Sequence, residues 1–245
     1  MGRLTVRFRR VVGRPVGTRT LALVAAGGVL IGVGAAAMIE AGLGVTPWDV
    51  LTTAVSDRGD VSVGVAGAAL SVAVYALCAP FGRLPGWGNL VLLVGVSGAV
   101  DGGLAVLGEP GGLAGQVLLY AAGVPTVCFG VALVVRADIG VGPLEMVMLV
   151  ATDRSVPLVP ARVAIEATTL IVGWSLGGAL GVGTAGFALS AGPLIAGSLR
   201  LLGPPAGRRR RSGAGGEELE AGDRQVAQHR EGHGHHGARH DHPPG

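Results

Sequence analysis

Two short stretches place a carboxylate two residues after a proline: Thr46-Pro47-Trp48-Asp49 and, 96 residues later, Gly142-Pro143-Leu144-Glu145. Two chemistries fit that spacing. With Thr46 as N-cap, Pro47 at the first helical position and Asp49 at the third, the first stretch reads as a capping box. In that reading Asp49 and Glu145 satisfy backbone N–H groups and the helix dipole. In the other, the same carboxylates or helix N-termini face a polar cavity, the carboxylates attracting a cation or proton and the free N–H groups an anion. The residue types leave both open. Arg162 and Glu166 stand four apart in an apolar run, on one helical face, where they pair either to lock helices or to line a substrate path. Asp101 lies deep in another apolar run beside Gly98, Gly102 and Gly103, with packing and functional roles equally open. Glu40, Arg136 and Asp138 fall at ends of apolar runs and read as interfacial.

Other chemistry is excluded by what is missing. All nineteen Lys+Arg residues are arginine, which removes Schiff-base chemistry and the P-loop. Cys78 and Cys128 are the two cysteines, each inside an apolar run, so neither a disulfide framework nor a cysteine-built metal site is expected. HExxH does not occur. An enzyme, a cofactor and a metal are therefore not expected. The six histidines lie at 229–242, in a tail without a core to hold ligands.

The elements around these residues are set by hydropathy. Only 14% of the chain is charged and 49% is hydrophobic, against about 25% charge in a soluble domain. Six arginines fall in residues 1–19 and seven in 205–245, which leaves six for the long centre. Such a centre cannot present a water-facing surface, and an integral membrane protein is expected. Apolar runs at 21–39, 61–80, 89–107, 113–135, 158–176 and 183–202 each approach the ~20 residues that cross a bilayer. The short segments 47–57 and 143–153 cover only about 16 Å each and read as half-helices entering the membrane or as helices lying on it.

Alternating six spans from a cytoplasmic N-terminal arm puts Arg83, Arg136, Arg154, Arg162, Arg200 and the arginines at 208–211 on one side, and Arg58 on the other. That is a positive-inside pattern, with both termini cytoplasmic in the inner membrane. The tail 205–245 reads as disordered, with Arg208, Arg209, Arg210 and Arg211 meeting anionic lipid headgroups. Nucleic-acid binding is not expected, since no aromatic platform accompanies these arginines.

The two proline stretches belong to a longer duplication. AGLGVTPWDVLTTAVSDR (41–58) aligns without gaps on ADIGVGPLEMVMLVATDR (137–154), and 86–107 aligns more weakly on 181–202. Each copy contains three spans. An odd number requires the second copy to insert inverted, as in many transporter folds. The short helices are then expected to approach the membrane midplane from opposite faces.

The segments GLGVTPWDVLTTAV, ADIGVGPLEMVMLV, ARVAIEATTLIVGWSLGG and LGVGTAGFALSAGPLI resemble the YczE/YitT-like bacterial integral membrane proteins. The resemblance covers about residues 20–204 and implies a polytopic inner-membrane protein, without implying a substrate.

The expectation is an all-α polytopic bundle of five to six spans, built from two inverted three-span repeats, 20–108 and 113–204, each with a short Gly/Pro-led half-helix. The favoured function is a small-solute or ion permease acting without ATP. Its site would draw on Thr46, Pro47, Asp49, Pro143, Glu145, Arg162, Glu166 and Asp101. The alternative is a non-catalytic scaffold, sensor or partner subunit. Besides lipid and a small solute or ion, a second copy of the chain is a further candidate partner.

Overall fold

The computed structural model describes residues 17–203. Most of the basic arm and the tail, with its arginines at 208–211, lie outside the described residues. Within them the chain forms eight helices: α1 (Thr18–Ala41), α2 (Pro47–Gly59), α3 (Val63–Cys78), α4 (Trp87–Val106), α5 (Gly112–Ala137), α6 (Pro143–Asp153), α7 (Leu158–Ser175) and α8 (Val182–Leu202). The order long, short, long, long occurs twice. The starts of α2 and α6 lie 96 residues apart, and those of α4 and α8 lie 95 apart.

Local chemistry sets the breaks. α1 ends on Gly42 at φ 66°, and its N–H bonds Ile39 O; α5 ends at the equivalent Asp138, φ 55°, bonding Val134 O. Both are left-handed helix ends, the second on a residue type that tolerates that conformation. Pro47 and Pro143 then open α2 and α6 at positions where a missing N–H costs nothing.

Close contacts fix helix directions. Gly27 and Gly34 of α1 lie against Gly130 and Gly123 of α5, so these two helices are antiparallel. Gly28 meets the backbone at 92–96 and Gly32 that at 96–100, so α1 and α4 run parallel. α3 opposes α4, with Gly64 against Ser97 and Asp101. α8 follows α5, from Gly183 against Tyr120 to Ala191 beside Cys128. Glycine lets these backbones approach as lipid-embedded helices require.

Helices α1 (Thr18–Ala41), α3 with the 3-10 turn after it (Val63–Phe81), α4 (Trp87–Val106), α5 (Gly112–Ala137) and α8 (Val182–Leu202) are long and apolar enough to cross a membrane. α7, interrupted by Arg162 and Glu166, is the weakest of the six expected spans. It nonetheless runs from the end of the body where α5 finishes to the end where α8 begins.

The outside of the bundle is apolar: Val94 is 69% exposed, Leu118 71% and Leu189 81%. Inside, Ser71 and Thr169 donate to the carbonyls of Gly67 and Ile165 one turn back, and among the described residues no buried side-chain N or O lacks a partner. An apolar exterior over an internally satisfied polar interior is the arrangement lipid demands. The molecule is a polytopic membrane helix bundle.

Candidate functional site

The two Gly-Pro elbows, between α1 and α2 and between α5 and α6, are the most heavily bonded irregular segments, and each is seated on the opposite half. At the first, Gly183 N–H at the start of α8 donates to Leu43 O at 2.7 Å. Tyr120 hydroxyl of α5 donates to Gly183 O. Gly44, at φ 119°, lies against Gly181 and Thr184 with no room for a side chain. At the second elbow, Asn89 of α4 donates through Nδ2 to Val141 O at 2.8 Å, and Tyr75 hydroxyl of α3 donates to the same oxygen at 3.3 Å. There Gly140 lies against Gly88. Gly44 and Gly140 are equivalent in the sequence alignment of the two halves, as are Gly88 and Gly183. One cross-contact therefore maps onto the other, and the pair Gly27–Gly130 maps onto Gly123–Gly34.

The short helices follow their elbows. α2 is seated across the end of α7. Val50 and Leu51 lie against Gly173 and Gly178, Thr53 Oγ1 accepts from Ala179 N at 3.1 Å, and Arg58 Nε donates to Leu176 O at 3.0 Å. α6 is seated on the end of α3. Met146 packs with Tyr75 and Cys78, Arg83 forms a two-pronged pair with Asp153 at 2.7–2.8 Å, and Arg154 stacks over Phe81, 4.2 Å from the ring centre. α2 thus packs on the C-terminal part of α7 and the turn beyond it, and its own C-terminal half carries Ser56, Asp57, Arg58 and Asp60.

The carboxylates named from sequence divide accordingly. Thr46 Oγ1 accepts from Asp49 N–H at 3.2 Å and donates to Asp49 Oδ2 at 2.7 Å. Burial pushes the Asp49 carboxyl up to about 6, and the Thr46 hydrogen bond opposes that rise. Among the described residues no cation pairs with it. In the second half Gly142 offers no cap, and exposed Glu145 folds back over the space a side chain there would fill. Pro47 and Pro143 open their helices in the same way.

Asp101 is spoken for: Oδ2 accepts from Ser62 hydroxyl at 2.6 Å and Oδ1 from Gly64 N at 2.7 Å, which fastens α3 to α4. Arg162 and Glu166 pair with each other at 2.8 Å on the outer side of α7. No hydrogen bond joins either group to Asp49 or Glu145 among the described residues. Among the described residues no group of three or more metal-ligating side chains converges.

Several participants escaped the sequence reading: Tyr75, Asn89, Tyr120 and Thr53. Asn89 was findable, because it aligns with Thr184 and each hydrogen-bonds the backbone three residues before it, at Gly86 and Gly181.

A family described as "Family of unknown function (DUF6198)" matches residues 18–199. The chain belongs to that family. The match takes in α1 through nearly all of α8, so both elbows fall within it. A Haemophilus influenzae "Uncharacterized protein" is 26% identical over 174 residues, covering 71% of this chain and 80% of the relative. The Bacillus subtilis "Uncharacterized membrane protein YczE" is 27% identical over 177 residues, covering 71% and 82%. The latter bears out the resemblance drawn from the elbow motifs. No solved structure matches.

Proposed function

We propose that the chain is a permease for a small solute or ion, working without nucleotide, with its binding site between two inverted repeats. The observation that carries this reading is the reciprocal seating of the elbows. The backbone of the first elbow, at Leu43 and Gly44, rests on α8 of the other half, and the equivalent backbone of the second, at Ile139 and Gly140, rests on α4. Halves related by inversion and joined by crossed contacts are the arrangement from which alternating access is built.

The distribution of charge supports an orientation. The end of the body at which α1 starts and α3, α5 and α8 finish carries Arg19, Arg83, Arg136, Arg154 and Arg200. The opposite end, among the described residues, carries Arg58 together with Glu40, Asp57, Asp60 and Glu109. By the positive-inside rule the arginine-rich end faces the cytoplasm of an inner membrane, with both termini on that side. The arginines at 208–211 then lie at anionic headgroups.

Substrate contact is assigned to Asp49 and Glu145, with Thr46, Pro47 and Pro143 holding the two helix starts. Asp49, lacking a cation, is suited to exchange a proton near neutral pH or to hold a cation. The test is flux in liposomes holding purified protein, with a trapped pH-sensitive dye for protons and a panel of radiolabelled ions and small solutes. The expected result is flux of at least one species, lowered about tenfold or more by Asp49→Asn, with Glu145→Gln also impaired. No flux of any species from well-folded protein overturns the reading. Flux appearing only on addition of another subunit moves the assignment to a partner subunit.

A further inference from the structure

The two halves differ most at their third and fourth helices. In the first half α3 is fastened along α4. Gly64 admits the Ser97 carbonyl and the Asp101 carboxylate, and Asp101 accepts from both Ser62 and Gly64. The equivalent positions in the second half are Pro157, Val159 and Ala196, which supply neither the clearance nor the carboxylate. α7 packs on α2 and α6, and no comparable packing joins it to α8. Ala161, Thr169 and Gly173 are its buried residues. Most of the remaining helix surface faces outward.

That outward surface carries the Arg162–Glu166 pair, its side chains 60% and 40% exposed. These are the fifth and ninth residues of an 18-residue helix, about 6 and 12 Å along the axis from its start. The equivalent positions on α3 are Gly67 and Ser71, and Ser71 is buried. Ionised groups at that depth are costly against hydrocarbon and in membrane proteins face other protein or water. Exposed Ala164, Ala167 and Thr168 surround the pair, small residues of the kind that let membrane helices approach closely.

We infer that α7 is the interface of a homodimer in which Arg162 of each copy pairs with Glu166 of the other. Copies inserted in one membrane share an orientation, so a two-fold axis along the membrane normal sets their α7 helices parallel. Arg162 then stands about 6 Å along the axis from Glu166 of the second copy, a step its long side chain spans. A helix bearing Arg one turn before Glu is complementary to itself in that arrangement, and one symmetric contact satisfies four charges. The hydrocarbon of a bilayer supplies no such counter-charges. The inference does not rest on the permease reading.

The experiment is disulfide trapping of the full chain in native membranes. Val163→Cys, 61% exposed beside the pair, is oxidised with copper phenanthroline, and Leu189→Cys on α8, 81% exposed, serves as the comparison. A dimer-sized band is expected at 163 and not at 189. In the Val163→Cys background, Arg162→Glu alone and Glu166→Arg alone are each expected to lower the band about tenfold. Co-expressing the two with different tags restores a mixed-tag band, because the wholly acidic pair of one copy then meets the wholly basic pair of the other across the interface. A band of equal strength at both positions, or no band at 163 in the otherwise unaltered chain, overturns the inference and gives the face to lipid. Absence of the mixed-tag band likewise overturns the crossed pairing. The unaltered-chain result stands even where a charge reversal prevents folding.

Discussion

Thr46 and Asp49 show one pair of residues serving both readings of the sequence. The Thr46 hydroxyl caps the Asp49 N–H and donates to the Asp49 carboxylate, yet that bond opposes and does not account for the elevation of the Asp49 carboxyl to about 6. The folded chain holds that proton up to about pH 6, whereas an unfolded chain releases it near 3.8. Over that window the folded state binds more protons, so stability is greatest below about pH 4, falls as pH rises to about 6, and is level above. Asp49→Asn should flatten the profile and add roughly 1–3 kcal/mol above pH 6, read as thermal unfolding of purified protein from pH 4 to 8. A profile unchanged by the substitution would show that Asp49 is not the group responsible. This outcome is separable from the transport test, where the same variant is expected to lose flux: a protein more stable and less active assigns chemistry to the carboxylate, while one less stable assigns capping alone. The cap was legible because its signature is local. The Asn89–Val141 and Tyr120–Gly183 bonds join residues 52 and 63 apart, and nothing in their neighbourhoods names the partner.

Helices were legible wherever composition was uniform. The runs expected at 89–107, 113–135 and 183–202 fall within a few residues of α4, α5 and α8, because Gly-rich turns bound them. The run at 158–176 reads as a span of near-sufficient length, but its Arg162–Glu166 pair and the lack of close packing on α8 set α7 apart. The first half has the Asp101 latch where the second has Ala196, and the latch's role could not be read from one stretch of sequence, since Ser62 and Gly64 lie 39 and 37 residues away. Asp101→Ala leaves the Gly64 N–H without its acceptor and should cost roughly 1–3 kcal/mol. Gly64→Val, which installs the residue type found at 159, meets the Ser97 carbonyl and should cost a similar roughly 1–3 kcal/mol through overpacking. Thermal unfolding in one detergent measures both. If Gly64→Val leaves the transition unmoved, the contrast between the two halves does not arise from this close approach.

At the level of the whole molecule the decisive feature is which half each elbow rests on. The matching sequences announced two equivalent elbows, but elbows seated on their own halves would carry the same sequence. The crossing is a tertiary fact: the first elbow rests on α8 and the second on α4. That arrangement has a direct consequence for sidedness. Asp60, just after α2, and Ser155, just after α6, are equivalent turn residues, both exposed and both left-handed at φ 49° and 68°. The helix directions put Asp60 at the end where α8 begins and Ser155 at the end where α4 begins. In intact cells Asp60→Cys should therefore react with a membrane-impermeant maleimide, and Ser155→Cys should react only after the membrane is opened. Because Cys78 and Cys128 are buried, the native thiols contribute little background. Labelling of both positions from one side would mean that the chain does not alternate across the membrane as the antiparallel α1 and α5 require. The reciprocal elbows could not then belong to inverted halves, and the permease site drawn between them would have no basis.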